Sequence, residues 1–250
     1  MVTFSRRGLH GQVVDSLGRR IVEGEFPPGA VVDLELLEQQ MSVSRTVMRE
    51  AVKVLTTKGL LDARPRLGTF VRDRREWNLL DADVMAWRGG GDPDERLLSD
   101  LEEVRRIVEP WGARLAAERR TPEDVRALRE SLARMEKSEH GGDIEEHIAA
   151  DVAFHRAVLA ASQNELLERL EVVLEPALRA RDALAFVHTH GDAFLHAHAD
   201  VAEAIAAGDP DRAHASMASL LETAAADTAE IMRRRSGARG GARRRSGPGA

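Results

Sequence analysis

From Asp94 to Arg235 the sequence can be built as helix and as little else. Apolar residues recur at three- and four-residue spacing, and the few prolines, Pro93, Pro110, Pro122, Pro176 and Pro210, read as breaks between helices. Thr121-Pro122-Glu123-Asp124 has the form of a helix start, with a capping hydroxyl, proline in the first turn and acids behind it. Gly142 or Asp143 starts another helix, Asn164 in the run SQN caps or turns the chain, and AAGDPDRA separates the last two helices. Six or seven helices are expected. Residues 94–232 thus predict an all-α bundle large enough to bury its own core.

The first 75 residues are punctuated differently. LHGQVVDSLGRRIVE sets Val13, Val14, Leu17 and Ile21 at helical spacing, and GEFPPGA then breaks the chain. Asp33 is placed to cap a short helix carrying Leu34, Leu37 and Met41. Ser42 or Ser44 restarts a helix that runs to Lys58 and ends at Gly59. Two short β-type runs flank Pro65-Arg66-Leu67-Gly68, the pattern of a hairpin. Three helices and a hairpin predict a winged helix-turn-helix. The expected fold is mainly α, an N-terminal winged helix-turn-helix with a small β-wing followed by a C-terminal all-α bundle.

In MSVSRTVMREAVKVL, Arg45, Arg49 and Lys53 stack on one face, while Val47, Ala51, Val54 and Leu55 form the other. A solvated charged face is the ordinary meaning of such a ridge. Here it lies on the helix after the turn, which in this fold enters the major groove. Arg45, Thr46 and Arg49 are then placed to read base edges, and Lys53, further from the tip, to meet phosphate. Arg64 and Arg66 in the wing would reach backbone or minor groove, with Gly68 permitting close approach. Ser44 precedes the recognition helix and joins the DNA-binding set.

Charge agrees with this division. Residues 1–75 carry 13 Lys/Arg against 9 Asp/Glu, and residues 76–231 carry 16 against 33. A polyanion partner is therefore expected for the N-terminal part alone. Residues 76–93 are too apolar for a free linker, with Trp77, Leu79, Leu80, Met85 and Trp87, and are expected to pack on the bundle and couple it to the DNA-binding unit. Residues 233–250, rich in arginine and glycine, are expected to be a disordered basic tail. Without cysteine, disulfides and thiolate metal sites are excluded. No apolar run is long enough to span a bilayer and no cleavable hydrophobic leader begins the chain, so residence in the cytoplasm is expected.

The run IVEGEFPPGA…LLEQQMSVSRTVMREAVKVLTTKGLLDARPRLGTFV closely resembles the winged helix-turn-helix of the GntR family over residues 9–72. EVRRIVEP, DVAFHRAVLAASQN and HADVAEAIAAGDPDRA resemble the FCD-type ligand-binding domain of its FadR subgroup. Within the subgroup, REWNLLDADVMAW and IVEP resemble repressors of D-galactonate and related sugar-acid operons. The resemblance implies a homodimeric regulator of double-stranded operator DNA whose effector is a small carboxylate such as D-galactonate. One departure is Glu35, where family members often carry a DNA-contacting arginine.

Asp151 and His155, four residues apart, face the same way on a helix, a spacing that suits two ligands of one metal but occurs as often in surface hydrogen bonds. The resemblance implies His198 as a third ligand. The set of Asp151, His155 and His198 suits a divalent metal such as zinc, nickel, manganese or iron. The usual fourth histidine position is Leu220; His214 lies elsewhere on that helix, and His147, one turn before Asp151, is a substitute. His196 and His198 lie about 200° apart around a helix, so only one can face a pocket. Arg105 matches the arginine that the family directs at its acidic ligand, where a guanidinium fork pairs with a carboxylate. Its alternative is an ordinary ion pair with Glu102 or Glu109.

Two other functions compete. An acyl-CoA-responsive regulator without metal would fit the missing fourth ligand. A metal-dependent hydrolase or lyase would use the same triad, but the sequence lacks a nucleophile motif, a phosphate loop and a general base beside it, and this reading leaves the winged helix unexplained.

Overall fold

The computed structural model describes residues 8–90, 95–185 and 192–245. The chain divides into two compact units, Met1–Pro93 and Asp94–Ala250.

The first unit holds α1 (Leu9–Val22), α2 (Leu34–Gln40), α3 (Arg45–Thr57), the hairpin strands β1 (Leu61–Arg64) and β2 (Gly68–Val71), and α4 (Ala82–Gly89). Val13, Val14, Leu17 and Ile21 of α1 are buried, as their spacing predicts, against Leu37 of α2 and the inner face of α3. That inner face differs from expectation by one residue. Met48 is fully buried with Ala51, Val54 and Leu55, whereas Val47 is only partly covered. Asp33 caps α2 by accepting from Leu36 N at 3.0 Å, and Ser44 caps α3 by accepting from Val47 N at 3.4 Å.

The strands pair antiparallel, from Leu61↔Val71 to Arg64↔Gly68. The turn between them needs left-handed backbone at Arg66 (φ 69°) and Gly68 (φ 85°). The stretch after the Pro27-Pro28 break, read from sequence as a break only, also joins the wing. Val32 N donates to Thr69 O at 2.8 Å and Val71 N to Ala30 O at 3.0 Å.

The segment expected to pack on the bundle belongs to this first unit instead. Trp77, Val84 and Trp87 lie in its core. The Trp87 indole N–H donates to Asp15 Oδ1 at 2.8 Å, and its ring lies so close to Gly18 that a Cβ there would overlap it. Lys58, at the end of α3, pairs with Asp81 and Asp83 at 2.8 Å each. The boundary between the units therefore falls near residue 93, not 75. Leu79 and Leu80, counted among the packing residues, are exposed.

The second unit contains α5 (Glu95–Arg119), α6 (Pro122–Gly141), α7 (Ile144–Ala161), α8 (Glu165–Arg169), α9 (Glu171–Ala185), α10 (Asp192–Ala207) and α11 (Pro210–Arg245). Thr121 and Asp124 form a capping box at the start of α6, Asp143 caps α7, and Asn164 caps α8. α5 packs on α7 and α11, and α10 on α6 and α11. Small residues bring these axes together: Ala113, Ala116 and Ala117 of α5, Ala150 and Ala161 of α7 and Ala213 of α11 are all buried around Phe154, Met135 and Met217.

Two expected breaks are absent. Pro110 lies inside α5 and Pro176 inside α9. Both are buried, and the packing of the neighbouring helices outweighs the one backbone hydrogen bond that each proline forfeits. The expected disorder from residue 233 is also corrected, since α11 continues as helix to Arg245 despite Gly237, Gly240 and Gly241; residues 246–250 of that tail lie outside the described residues. Among the described residues, no helix is long and apolar enough to cross a membrane.

Candidate functional site

The chemistry-bearing residues fall into two sets, one in each unit. In the first unit, Ser44, Arg45, Thr46, Arg49 and Lys53 are all exposed along α3, and Arg64, Arg66 and Gly68 are exposed in the wing. Met48, Ala51 and Leu55 anchor the helix from behind, so the cationic ridge stands on a rigid support. Arg45 is the first residue of α3, where a recognition helix meets base edges. The Ser44 hydroxyl spends its acceptor on the cap. Lys53 pairs with Glu50 at 2.7 Å. Arg64 lies over the Phe70 ring, 4.9 Å from its centroid, which aims the guanidinium from the wing. Glu35 is exposed in the first turn of α2.

In the second unit, Asp151, His155 and His198 come together. All three are buried, and their candidate ligand atoms lie within 4.8 Å of one another. Asp151 and His155 share a face of α7, as the spacing predicts, and α10 brings in His198 while His196 stays exposed. His198 Nε2 is 3.0 Å from Asp151 Oδ1, and His155 Nε2 is 3.7 Å from the same oxygen.

The tautomers follow from the partners. His198 Nδ1 is 2.9 Å from the carbonyl of Phe194, which only accepts, so the proton is on Nδ1. Nε2 then turns a lone pair toward a carboxylate oxygen at 3.0 Å. Two acceptors at that distance repel, and a proton or a cation between them removes the repulsion; three ligand-type groups converging within 4.8 Å fit a metal there. His147 is not part of the cluster. Its Nδ1 is 3.3 Å from Ser138 Oγ and its ring packs on Phe194. Leu220 is an ordinary core residue, and His214 packs edge-on against Trp111.

Arg105, buried on α5, lies beside this cluster. Its Nε is 2.5 Å from Glu109 Oε1, and its Nη2 is 3.2 Å from His155 Nε2. The ion pair with Glu109, weighed above as the alternative role for Arg105, is thus formed, and the same arginine also reaches the cluster. Glu109 Oε2 lies 2.6 Å from His155 Nδ1, off the donor axis of the ring. Burial alone would raise the Glu109 pKa, but Arg105 and His155 outweigh it and hold the carboxyl at about 2. Burial lowers the His155 pKa despite Glu109 and Asp151, and Arg105 adds to the lowering. Sequence reasoning saw Glu109 only as a possible mate for Arg105. Its link to His155 joins residues 46 positions apart and has no local signal. Two small clefts flank the group, one lined by His155 and Glu171, the other by Arg105, Glu102 and Leu221.

A supported cationic helix with a basic wing, in a chain that also carries a helical unit with buried ligand-type residues, defines a winged-helix DNA-binding regulator. The chain belongs to the bacterial regulatory proteins of the gntR family, whose pattern it matches over residues 9–71, and it matches the FCD domain over residues 100–223. It is 36% identical over 170 residues to the galactonate operon transcriptional repressor of Escherichia coli K12, covering 68% of this chain and 73% of that protein. It is 33% identical to the HTH-type transcriptional regulator LutR of Bacillus subtilis, covering 80% and 92%. The solved structure of Lar, which controls the agr system of Listeria monocytogenes, shares the fold at 17% identity, with a TM-score of 0.60 over 92% of this chain and 99% of that one. The protein is a DNA-binding transcriptional regulator, not an enzyme. Regulators of this family bind operator DNA and usually act as dimers.

Proposed function

We propose that this chain is a cytoplasmic repressor of an operon for the breakdown of a sugar acid or another small carboxylate. It binds a two-fold operator as a homodimer through Arg45, Thr46 and Arg49 on base edges, with Ser44, Lys53, Arg64, Arg66 and Gly68 on the backbone. The acid binds in the helical unit and releases the DNA, favouring an arrangement whose reading heads no longer match the half-sites. The observation that carries this reading is the pair of facing acceptors at Asp151 and His198, 3.0 Å apart and buried next to an arginine. Asp151, His155 and His198 would hold a divalent cation, either zinc, nickel, manganese or iron, which when bound supplies Lewis-acid positions for the oxygens of the acid. Arg105 would pair with the carboxylate. The likeness to a galactonate operon repressor makes D-galactonate the first acid to try.

The test is binding of the purified protein to its own upstream DNA, followed by fluorescence anisotropy and titrated with D-galactonate and related sugar acids, with and without prior chelation. Release by an acid, blocked by chelation and lost in Arg105→Ala, is the expected result. Specific binding that no acid disturbs would refute the effector class. Failure to bind any specific DNA would refute the operator reading.

A further inference from the structure

Glu109 is a buried charge to which the proposed function gives no task. It sits on α5 one turn beyond Arg105, 1% exposed, and it touches both Arg105 and His155. Oε1 is 2.5 Å from Arg105 Nε, while Oε2 is 3.4 Å from Arg105 Nη2 and 2.6 Å from His155 Nδ1, off the donor axis of the ring. The far side of the imidazole settles where its proton lies. Arg105 Nη2 is 3.2 Å from His155 Nε2, and a guanidinium only donates. Nε2 is therefore the acceptor, and the proton is on Nδ1, toward Glu109. This turns the His155 lone pair toward the side where Asp151 and His198 stand.

We propose that Glu109 is the positioning residue of the effector site, tethering Arg105 through both oxygens and setting Oε2 against the protonated edge of His155 so that the ring is oriented as a cation ligand. The inference rests on the metal-plus-arginine reading above. A carboxylate behind a ligating histidine fixes the tautomer and raises the basicity of the ring. The same carboxylate takes the Nε edge of Arg105 at 2.5 Å and, by a longer bond of 3.4 Å, holds Nη2 beside the cluster. The Nε2 lone pair of His155 can serve Arg105 or a cation, but not both. Once a cation takes it, Arg105 keeps its tether to Glu109, and Nη2 exchanges its His155 contact for an incoming carboxylate. One residue thus joins the two halves of the site, and one substitution should disturb both.

The test compares full-length wild type, Glu109→Gln and Glu109→Leu, each checked for folding by thermal melting. Calorimetric titration with Mn²⁺, Ni²⁺ and Zn²⁺ reads cation affinity. Nitrogen NMR of the cation-free protein reads the His155 ring and the Arg105 Nε–H. Glu109→Leu is expected to lose about 10–100-fold in cation affinity. Glu109→Gln, which keeps an acceptor for Nδ1–H, should recover part of that loss. The wild-type spectrum should show His155 protonated on Nδ1 and a hydrogen-bonded Arg105 Nε–H, both altered in Glu109→Leu. Equal affinities in all three proteins, or a wild-type His155 protonated on Nε2, would overturn the assignment. A wild type that binds none of the three ions refutes the metal reading, and the spectra then decide Glu109 alone, because unchanged His155 and Arg105 signals in the variants refute it too. If Glu109→Leu does not fold, Glu109→Gln carries the comparison, and unchanged affinity and spectra there overturn the proposal.

Discussion

Arg45 shows how much one exposed side chain can carry. It makes no contribution to the core, being at the exposed tip of α3, so its loss should leave folding intact. A bidentate arginine on guanine is worth about 1–3 kcal/mol of discrimination. Arg45→Ala should therefore weaken specific operator binding about 10–100-fold, with unchanged melting and nearly unchanged binding to random DNA, as anisotropy on the two DNAs would show. A loss equal on both DNAs would make Arg45 a phosphate contact instead. At this scale the sequence was informative wherever a residue acts through its neighbours in the chain. Asp33, Ser44, Thr121 and Asn164 cap as their positions suggest, because a cap needs only the next turn of backbone. It was less so for burial. Met48 and Val47 are adjacent apolar residues, and which of them faces inward depends on where α1 lies.

Among the elements, α4 and the end of α3 form a clamp that local sequence does not announce. Lys58 is almost covered and pairs with two aspartates 23 and 25 residues further on. Burial lowers its pKa, but the hydrogen bonds to Asp81 and Asp83 outweigh this and raise it above 10.5. A raised pKa means that folding favours the charged lysine. This stabilisation is full below 10.5 and is lost as pH rises through the higher folded value. Lys58→Met should cost about 1.5–3 kcal/mol at neutral pH, the range for hydrogen bonds to charged groups. Melting curves should show the gap between wild type and variant narrowing above pH 10.5. A gap independent of pH would mean that packing, not charge, holds α4. The wing hairpin, by contrast, was legible because its turn residues and strands are contiguous. The joining of Ala30 to Val32 to it was not, since that pairing spans about 40 residues.

Across the whole molecule, the basic excess belongs to the winged helix-turn-helix stretch and not to its whole unit, because residues 76–93 add Glu76, Asp81, Asp83 and Asp92 against Arg88 alone. Residues 1–75 carry an excess of Lys/Arg, while residues 76–231 carry 16 against 33 Asp/Glu. Binding should accordingly depend steeply on salt, with log affinity falling linearly in log salt as counterions leave the phosphates. Lys53→Ala should weaken binding evenly across sequences and reduce the slope by about 1, the mark of one phosphate contact. An unchanged slope would leave Lys53 with Glu50 rather than DNA.

The sequence by itself determined the class of each unit, the helix starts, the hairpin and the pairing of Asp151 with His155. These depend on periodicity, on turn chemistry and on residues within one or two helical turns. Only the tertiary structure decided that residues 77–87 join the DNA-binding unit, that Pro110 and Pro176 stay within helices, and that Glu109 stands between Arg105 and His155. Each of these outcomes is set by an element distant in sequence. Packing energy from neighbouring helices overrides a local preference of a few kcal/mol, and no local pattern specifies which distant side chain will fill a given buried position.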